Sequence, residues 1–271
     1  MNWTSIEQAF SRALLYSFSK KKMMITFPAL VLCGVLIVFC RAVAFNANDW
    51  VAMSLTFLPI LLSSSVLLAL GVLLIRIHTH EVRALSLSFS KLVIGSLDLM
   101  VGTSYLSIPP ILAYLIVWMV LGFFFLLKEI PGVGHFFSVV LAFAPFLLIF
   151  ISLLLCLFAL ALLFFVTPAA AFHSFKRISM AKKIVAQFQG HILSSLTLFI
   201  LALIPITLIV GFLSLAAVLT NVSFFVQAES LSVALEWFFI MLPFAAILTP
   251  AVVFFFNFSA ESYQLLKNQT S

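Results

Sequence analysis

The sequence predicts an all-α protein, a polytopic transmembrane bundle of six spans, and three observations carry that prediction. Of the 271 residues, 65% are hydrophobic and only 8% are charged, whereas soluble domains have about 25% charged residues. The apolar residues form six stretches long enough to cross a bilayer, which takes ~20 residues. All but two of the fourteen lysines and arginines lie in alternate gaps between these stretches, as the positive-inside rule requires.

The predicted spans lie within a single integral membrane domain, 1–271, and each follows from an apolar run. The first run is read as an uncleaved span, because it is longer than the ~7–15 apolar residues of a signal peptide. The fourth exceeds what a bilayer needs and is expected to tilt. Trp50 and Trp237 begin the second and sixth spans, where an aromatic belt belongs. The six spans are 23–45, 51–75, 101–127, 136–166, 191–219 and 233–259.

The basic gaps predict a bacterial inner-membrane protein with both termini in the cytoplasm. The net charge of +6 does not indicate nucleic acid, since no basic run is interleaved with a polar or aromatic binding surface. Anionic membrane lipids are the expected partners; a protein partner or a homo-oligomer stays open. The candidates for headgroup contact are Lys20, Lys21, Lys22, Arg76, Arg83, Lys91, Lys176, Arg177, Lys182 and Lys183.

A related tetrapeptide recurs before three pairs of spans: Ser-Phe-Ser-Lys at 17–20 and 88–91, and Ser-Phe-Lys-Arg at 174–177. Each copy lies in a basic, amphipathic segment of the kind that rests in the headgroup region. Residues 85–90 alternate with a strand period, but an isolated strand would leave its edges unpaired, which favours a helix. The predicted unit is an interfacial helix followed by a helical hairpin; independent acquisition of three basic loops is the alternative. In the first segment, the shared apolar face holds Ile6, Phe10, Ala13, Leu14 and Ser17.

Every predicted span contains proline, which removes a backbone donor and commonly kinks a helix. The kinks could form hinges or a cavity lined by freed carbonyls, as in transporters with broken helices. The alternative is that proline is simply frequent in membrane helices. The hinge or cavity candidates are Pro59, Pro109, Pro110, Pro145, Pro205, Pro243 and Pro250, together with the amide of Asn257.

The residue types that carry catalysis or ion coupling are not arranged for either. No acidic or basic residue falls in the middle of a predicted span, which disfavours a carrier built on a buried carboxylate. There is no Gly-x-Ser-x-Gly elbow, Walker A loop or Gly-x-Gly-x-x-Gly run. His78 and His80 are spaced two apart, which does not suit metal binding on a helix, and are expected at headgroups. We predict no enzyme, cofactor or metal site.

The basic lead-in, the six spans and the run Thr167-Pro168-Ala169-Ala170-Ala171-Phe172, expected as the exit from the fourth span, are a familiar combination. The plan resembles uncharacterised six-helix bacterial inner-membrane protein families related to the membrane domain attached to some glycerophosphodiester phosphodiesterases. The resemblance implies an all-helical integral membrane protein. It carries over no enzymatic residue, because this chain has no counterpart of the phosphodiesterase domain.

Two functional hypotheses follow. The first is a multi-pass inner-membrane protein, without a catalytic motif, that interacts with lipid or a partner protein. The second is a permease or channel subunit for a neutral or lipophilic solute. A polar cavity around Pro205, Pro243 and Asn257 would favour transport, and a solidly packed bundle would favour the first hypothesis.

Overall fold

The computed structural model confirms the helical fold and places six helices long and apolar enough to cross a membrane. It describes residues 3–44, 49–83, 89–128, 142–172, 192–219 and 231–270, and no strand occurs within those ranges. Short 3-10 turns follow α1 and α5, at Tyr16–Phe18 and Tyr105–Ser107. The helices are α1 (Trp3–Leu15), α2 (Lys20–Ala44), α3 (Asp49–Val82), α4 (Phe89–Ile94), α5 (Leu97–Ser104), α6 (Ile108–Lys128), α7 (Ala144–Phe172), α8 (Ile192–Leu219) and α9 (Leu231–Thr270).

Several helices are longer than the apolar runs that predicted them. Helix α3 continues beyond position 75 to Val82, and α9 continues beyond position 259 to Thr270. Neither extension contains glycine or proline, so the backbone hydrogen bonds continue after the composition turns polar. The expected exit from the fourth span is instead the last part of α7, which stays helical to Phe172. The predicted start of that span, at 136, lies outside the described residues.

Helices α3 and α9 form the centre of the bundle. Helix α3 packs against α2, α5, α6, α7 and α9, while α9 also contacts α1, α2, α7 and α8. Leu74 and Ile75 of α3 and Phe256 and Phe258 of α9 are almost fully buried. The span formed by α5 and α6 is only 11% buried in its most apolar part, against 61% for α3. The outer helices therefore present their apolar side chains to lipid.

One close approach depends on glycine. A Cβ built on Gly71 of α3 would lie 2.7 Å from the methyl carbon of Thr167 and closer still to the ring of Phe256. Atoms cannot approach so closely without displacing a neighbour. Gly71 thus allows α3, α7 and α9 to pack around one point.

Helix α1 docks on α9 as an amphipathic helix. Ile6, Ala9 and Ala13 are buried, and the ring of Phe10 meets that of Phe254 edge to face at 4.9 Å. This agrees with the predicted apolar face except at Leu14, which is exposed. Of the second amphipathic segment, only α4 is described beyond Arg83, and the third lies outside the described residues. The threefold repetition stays a prediction.

Candidate functional site

The structure gathers charged residues at one end of the bundle, called the basic end from here on. It is formed by α1, the start of α2, the last turns of α3 and α9, and α4. Lys20, Lys21, Arg83 and Lys91 are exposed there, as contact with headgroups requires. Arg76 is half-buried. Four further candidates lie outside the described residues: Lys176, Arg177, Lys182 and Lys183.

The expectation that Lys22 contacts lipid headgroups is wrong, because the residue is buried. Its side chain is 0% exposed, and its Nζ pairs with Oε2 of Glu81 at 2.7 Å. The same Nζ donates to Oδ1 of Asn257 at 3.2 Å and lies 3.3 Å from Nδ1 of His78. Helix geometry is the cause, because successive residues differ by about 100° in direction. Lys20 and Lys21 therefore point outward while Lys22 points into the bundle.

A second acid extends this network to the surface. Nε2 of His78 lies 3.0 Å from Oε1 of Glu261, whose Oε2 lies 3.5 Å from Nη2 of Arg12. On the other side, the hydroxyl of Ser19 donates to Oε1 of Glu81 at 3.1 Å. The carboxylates thus face cations or donors from three different helices.

The contacts of His78 favour one tautomer. Lys22 can only donate hydrogen bonds, so its contact with Nδ1 of His78 at 3.3 Å favours the form with the proton on Nε2. In that form, Nε2 donates to Oε1 of Glu261. His78 is a neutral link between the Lys22–Glu81 pair and the Glu261–Arg12 pair, and its 1% exposure contradicts its expected place at headgroups.

Asn257 does not line an open cavity. Its side chain is 0% exposed; Oδ1 accepts from Lys22, and Nδ2 donates to the backbone carbonyl of Ala13 at 3.3 Å. Both ends of the amide are therefore bonded within the protein, and they connect α9 to α2 and α1.

We call this set of side chains the buried charge cluster. It contains two cations and two carboxylates, so its formal charges balance when the histidine is neutral. It connects α1, α2, α3 and α9 at the basic end, and its charged members lie outside the predicted spans. Its members are Arg12, Lys22, His78, Glu81, Asn257 and Glu261.

A sequence signal for the cluster existed in the helical spacing. Lys22, Thr26 and Cys33 lie four and seven residues apart, on the face of α2 that is buried. His78 and Glu81 are three apart on α3, and Asn257 and Glu261 are four apart on α9, spacings that share a helix face. Counting charges per span ignores that direction and so missed the cluster.

The proline candidates lie at different points along the helices. Pro109 and Pro110 lie in the first turn of α6, directly after a 3-10 turn, and Pro145 lies in the first turn of α7. Pro243 is exposed on the outside of the bundle. The helices run through the remaining candidates without ending: Pro59, Pro205 and Pro250.

A backbone carbonyl that one proline leaves without its helical donor accepts a hydrogen bond from another helix. Pro168 of α7 has no N–H to give to the carbonyl of Phe164, four residues earlier. The hydroxyl of Ser259, on α9, donates to that carbonyl at 2.6 Å. This is how a proline can sit inside a membrane helix without leaving a buried acceptor free.

The opposite end of the bundle has a different composition. Arg41, near the end of α2, lies over the ring of Trp237 with 5.7 Å between the guanidinium carbon and the ring centroid. Such a cation–π contact suits a cation at the level of an aromatic belt. Glu236 beside it is exposed.

A pocket of about 340 Å³ opens at the basic end, where α3, α4 and α7 meet. We call it the basic pocket. Its basic side chains come from Arg76, His80 and Lys91, and Leu92 and Phe172 contribute an apolar wall. Within the described ranges, no group of histidine, cysteine or acidic side chains is placed to hold a metal ion.

No protein-family model, curated protein or solved structure matches this chain. The class of protein is therefore defined by the fold, which is that of a multi-pass membrane protein. Any closer assignment has to come from the basic end, the buried charge cluster and the basic pocket.

Proposed function

We propose that the protein is a non-enzymatic, multi-pass protein of a bacterial inner membrane that binds anionic lipid at its basic end. One observation carries the proposal. Helix α1 is docked on α9, yet Trp3, Leu14 and Phe18 remain exposed beside the exposed lysines Lys20 and Lys21. Exposed apolar side chains next to lysines are typical of a helix that lies in the headgroup region.

The directions of these side chains support lipid contact. Leu14 follows Trp3 by eleven residues, about three turns, and Phe18 follows Leu14 by four, so the three lie along one side of the segment. The polar residues Thr4 and Gln8 are exposed on another side. Because α2 becomes apolar directly after its lysines, a membrane around α2 would put this side of α1 near the level where headgroups begin.

Lipid selectivity can be measured by electron spin resonance with the protein reconstituted in phosphatidylcholine. Spin-labelled phosphatidylglycerol should be restricted by the protein more than spin-labelled phosphatidylcholine, and salt should weaken the preference. Each basic residue near the surface contributes about 1 kcal/mol of attraction to an anionic membrane. Changing Lys20→Gln together with Lys21→Gln should reduce the selectivity, whereas Lys20→Arg with Lys21→Arg should preserve it. Equal restriction of both lipids by the unchanged protein would refute the proposal.

Orientation needs its own experiment. Reporter fusions after position 230 and at the C-terminus should place the first fusion outside and the second in the cytoplasm. The same location for both would contradict six spans. The reverse arrangement would put the basic end outside the cell and would contradict the proposed cytoplasmic lipid contact.

Transport of a neutral or lipophilic solute is the alternative function. It requires a polar cavity around Pro205, Pro243 and Asn257. Pro243 is exposed, and the amide of Asn257 is bonded at both ends, so that amide is not available to a solute. The buried charge cluster is internally paired as well. These contacts favour the lipid-binding proposal over transport.

A further inference from the structure

The strongest unassigned feature is the basic pocket, and its charge is one-sided. Arg76, His80 and Lys91 line it, and none of the described residues around it is acidic. The nearest acid along the chain, Glu81, is engaged with Lys22 and Ser19. The pocket therefore attracts anions and offers them hydrogen-bond donors.

Arg76 is held in position at the edge of the pocket. Its Nη1 donates to the carbonyl of Gly95 at 2.8 Å and to Oγ of Ser96 at 3.1 Å. Ser96 in turn donates to the carbonyl of Leu92 at 2.7 Å. One nitrogen of the guanidinium is thus fixed on the turn between α4 and α5. The rest of the fork has donors left for a ligand, and a pre-oriented arginine loses little freedom on binding.

The other two basic residues complement the fixed arginine. His80 lines the pocket, and its Nδ1 is shielded from solvent and has no hydrogen-bond partner among the described residues. Lys91 is exposed, and its flexible ammonium can follow a charge as it enters. A planar fork plus a mobile point charge is the combination that proteins use for phosphate.

The position of the pocket at the ends of two apolar helices supports contact with a lipid phosphate. Arg76 directly follows the apolar core of α3, whose last fully buried residue before it is Ile75, and Phe172 ends α7. The apolar wall of Leu92 and Phe172 suits the glycerol and first acyl carbons next to a phosphate.

We infer that the basic pocket is a saturable binding site for a phosphate ester, carried either by an anionic phospholipid or by a free phosphate compound. The inference rests on the proposed function, since both place anionic lipid at the basic end. It goes further by assigning one bound group per protein to named residues. Basic pockets between membrane helices on the cytoplasmic side bind anionic headgroups in this manner.

Native mass spectrometry of the detergent-solubilised protein tests the site. We expect one dioleoyl phosphatidic acid to be retained per protein, and phosphatidylcholine to be lost under the same conditions. Losing charge-assisted hydrogen bonds in Arg76→Gln with Lys91→Gln should weaken binding by about tenfold. The control is Lys267→Gln, which removes one exposed charge at the same end outside the pocket and should retain the lipid.

Inorganic phosphate distinguishes the two sources. If phosphate at ~mM concentration displaces the lipid, or raises the melting temperature in a manner that depends on Lys91, a free phosphate ester is the ligand class. If phosphate does neither while phosphatidic acid stays bound, the lipid is the source. Binding of neither phosphate nor lipid, or equal loss of lipid in Lys91→Gln and in Lys267→Gln, would overturn the inference.

Two further measurements keep the result interpretable. Lys91→Gln alone replaces an exposed side chain, so the variant should fold and still weaken binding if the double variant proves unstable; unchanged binding in it counts against the site. Lipid selectivity by spin resonance without a saturable site would leave the proposed function standing and remove the inference. A saturable site without that selectivity would remove the proposed function and leave the basic pocket as a binding site.

Discussion

Replacing Lys22 with methionine should destabilise the protein, and the structure sets the size of the effect. The methionine keeps most of the apolar stem but leaves Oδ1 of Asn257 buried without its donor, which costs about 1–3 kcal/mol. It also leaves the carboxylate of Glu81 without its cation. Breaking a fully buried pair costs about 3–5 kcal/mol, but Glu81 is 25% exposed, so water recovers part of that energy. We expect a loss of about 3 kcal/mol in the free energy of unfolding.

The assay is unfolding by dodecyl sulfate in mixed micelles, followed by circular dichroism and tryptophan fluorescence. Lys21→Met is the matched control, because it removes the same charge one residue earlier from an exposed position. Its effect should stay within about 0.5 kcal/mol. Adding Glu81→Gln to Lys22→Met should restore about 1 kcal/mol or more, since the stranded charge disappears. Equal stabilities of Lys22→Met and Lys21→Met would refute the reasoning.

Two further predictions concern the packing of the central helices. Gly71→Ala should destabilise by about 1–3 kcal/mol, because the new methyl meets rigid neighbours. Gly34→Ala, whose methyl meets only a flexible methionine end, should cost less in the same unfolding assay; the opposite order would contradict the packing. Ser259→Ala should cost about 1–3 kcal/mol by stranding the carbonyl of Phe164. The Pro168→Ala substitution supplies an intrahelical N–H to that carbonyl, so Ser259→Ala should cost less stability in that background. An unchanged cost would contradict the claim that the Ser259 hydroxyl stabilises the protein by satisfying the carbonyl of Phe164.

The lipid-facing surface was predictable because the bilayer acts on average composition. Any apolar run of sufficient length can span, so the six helices followed from the sequence with errors mainly at their polar ends. Helix α9 is longer than predicted. The predicted end was placed where hydropathy falls, at Ser259 and Glu261, but no glycine or proline follows there to end the helix. Hydropathy measures where the chain is apolar, and helix formation depends on the backbone.

The candidate site was predictable only in part. The charge pattern predicts that basic residues in these gaps are accessible, and four of them are exposed: Lys20, Lys21, Arg83 and Lys91. Lys22 is not, because burial depends on which way a helix faces, and that is set by its neighbours in space. The basic pocket had no sequence signal of its own, since α3, α4 and α7 are brought together by packing.

The sequence by itself determined that this chain is a six-span helical membrane protein, because solvation by lipid acts on each segment separately. It also predicts that the basic residues lie mainly on one side of the membrane. Only the tertiary structure decided that Lys22, His78, Asn257 and Glu261 form one buried cluster, and that Ser259 satisfies a carbonyl on α7. Those contacts join residues far apart in the chain. Their energies exist only when helix rotation and packing bring the polar atoms within bonding distance.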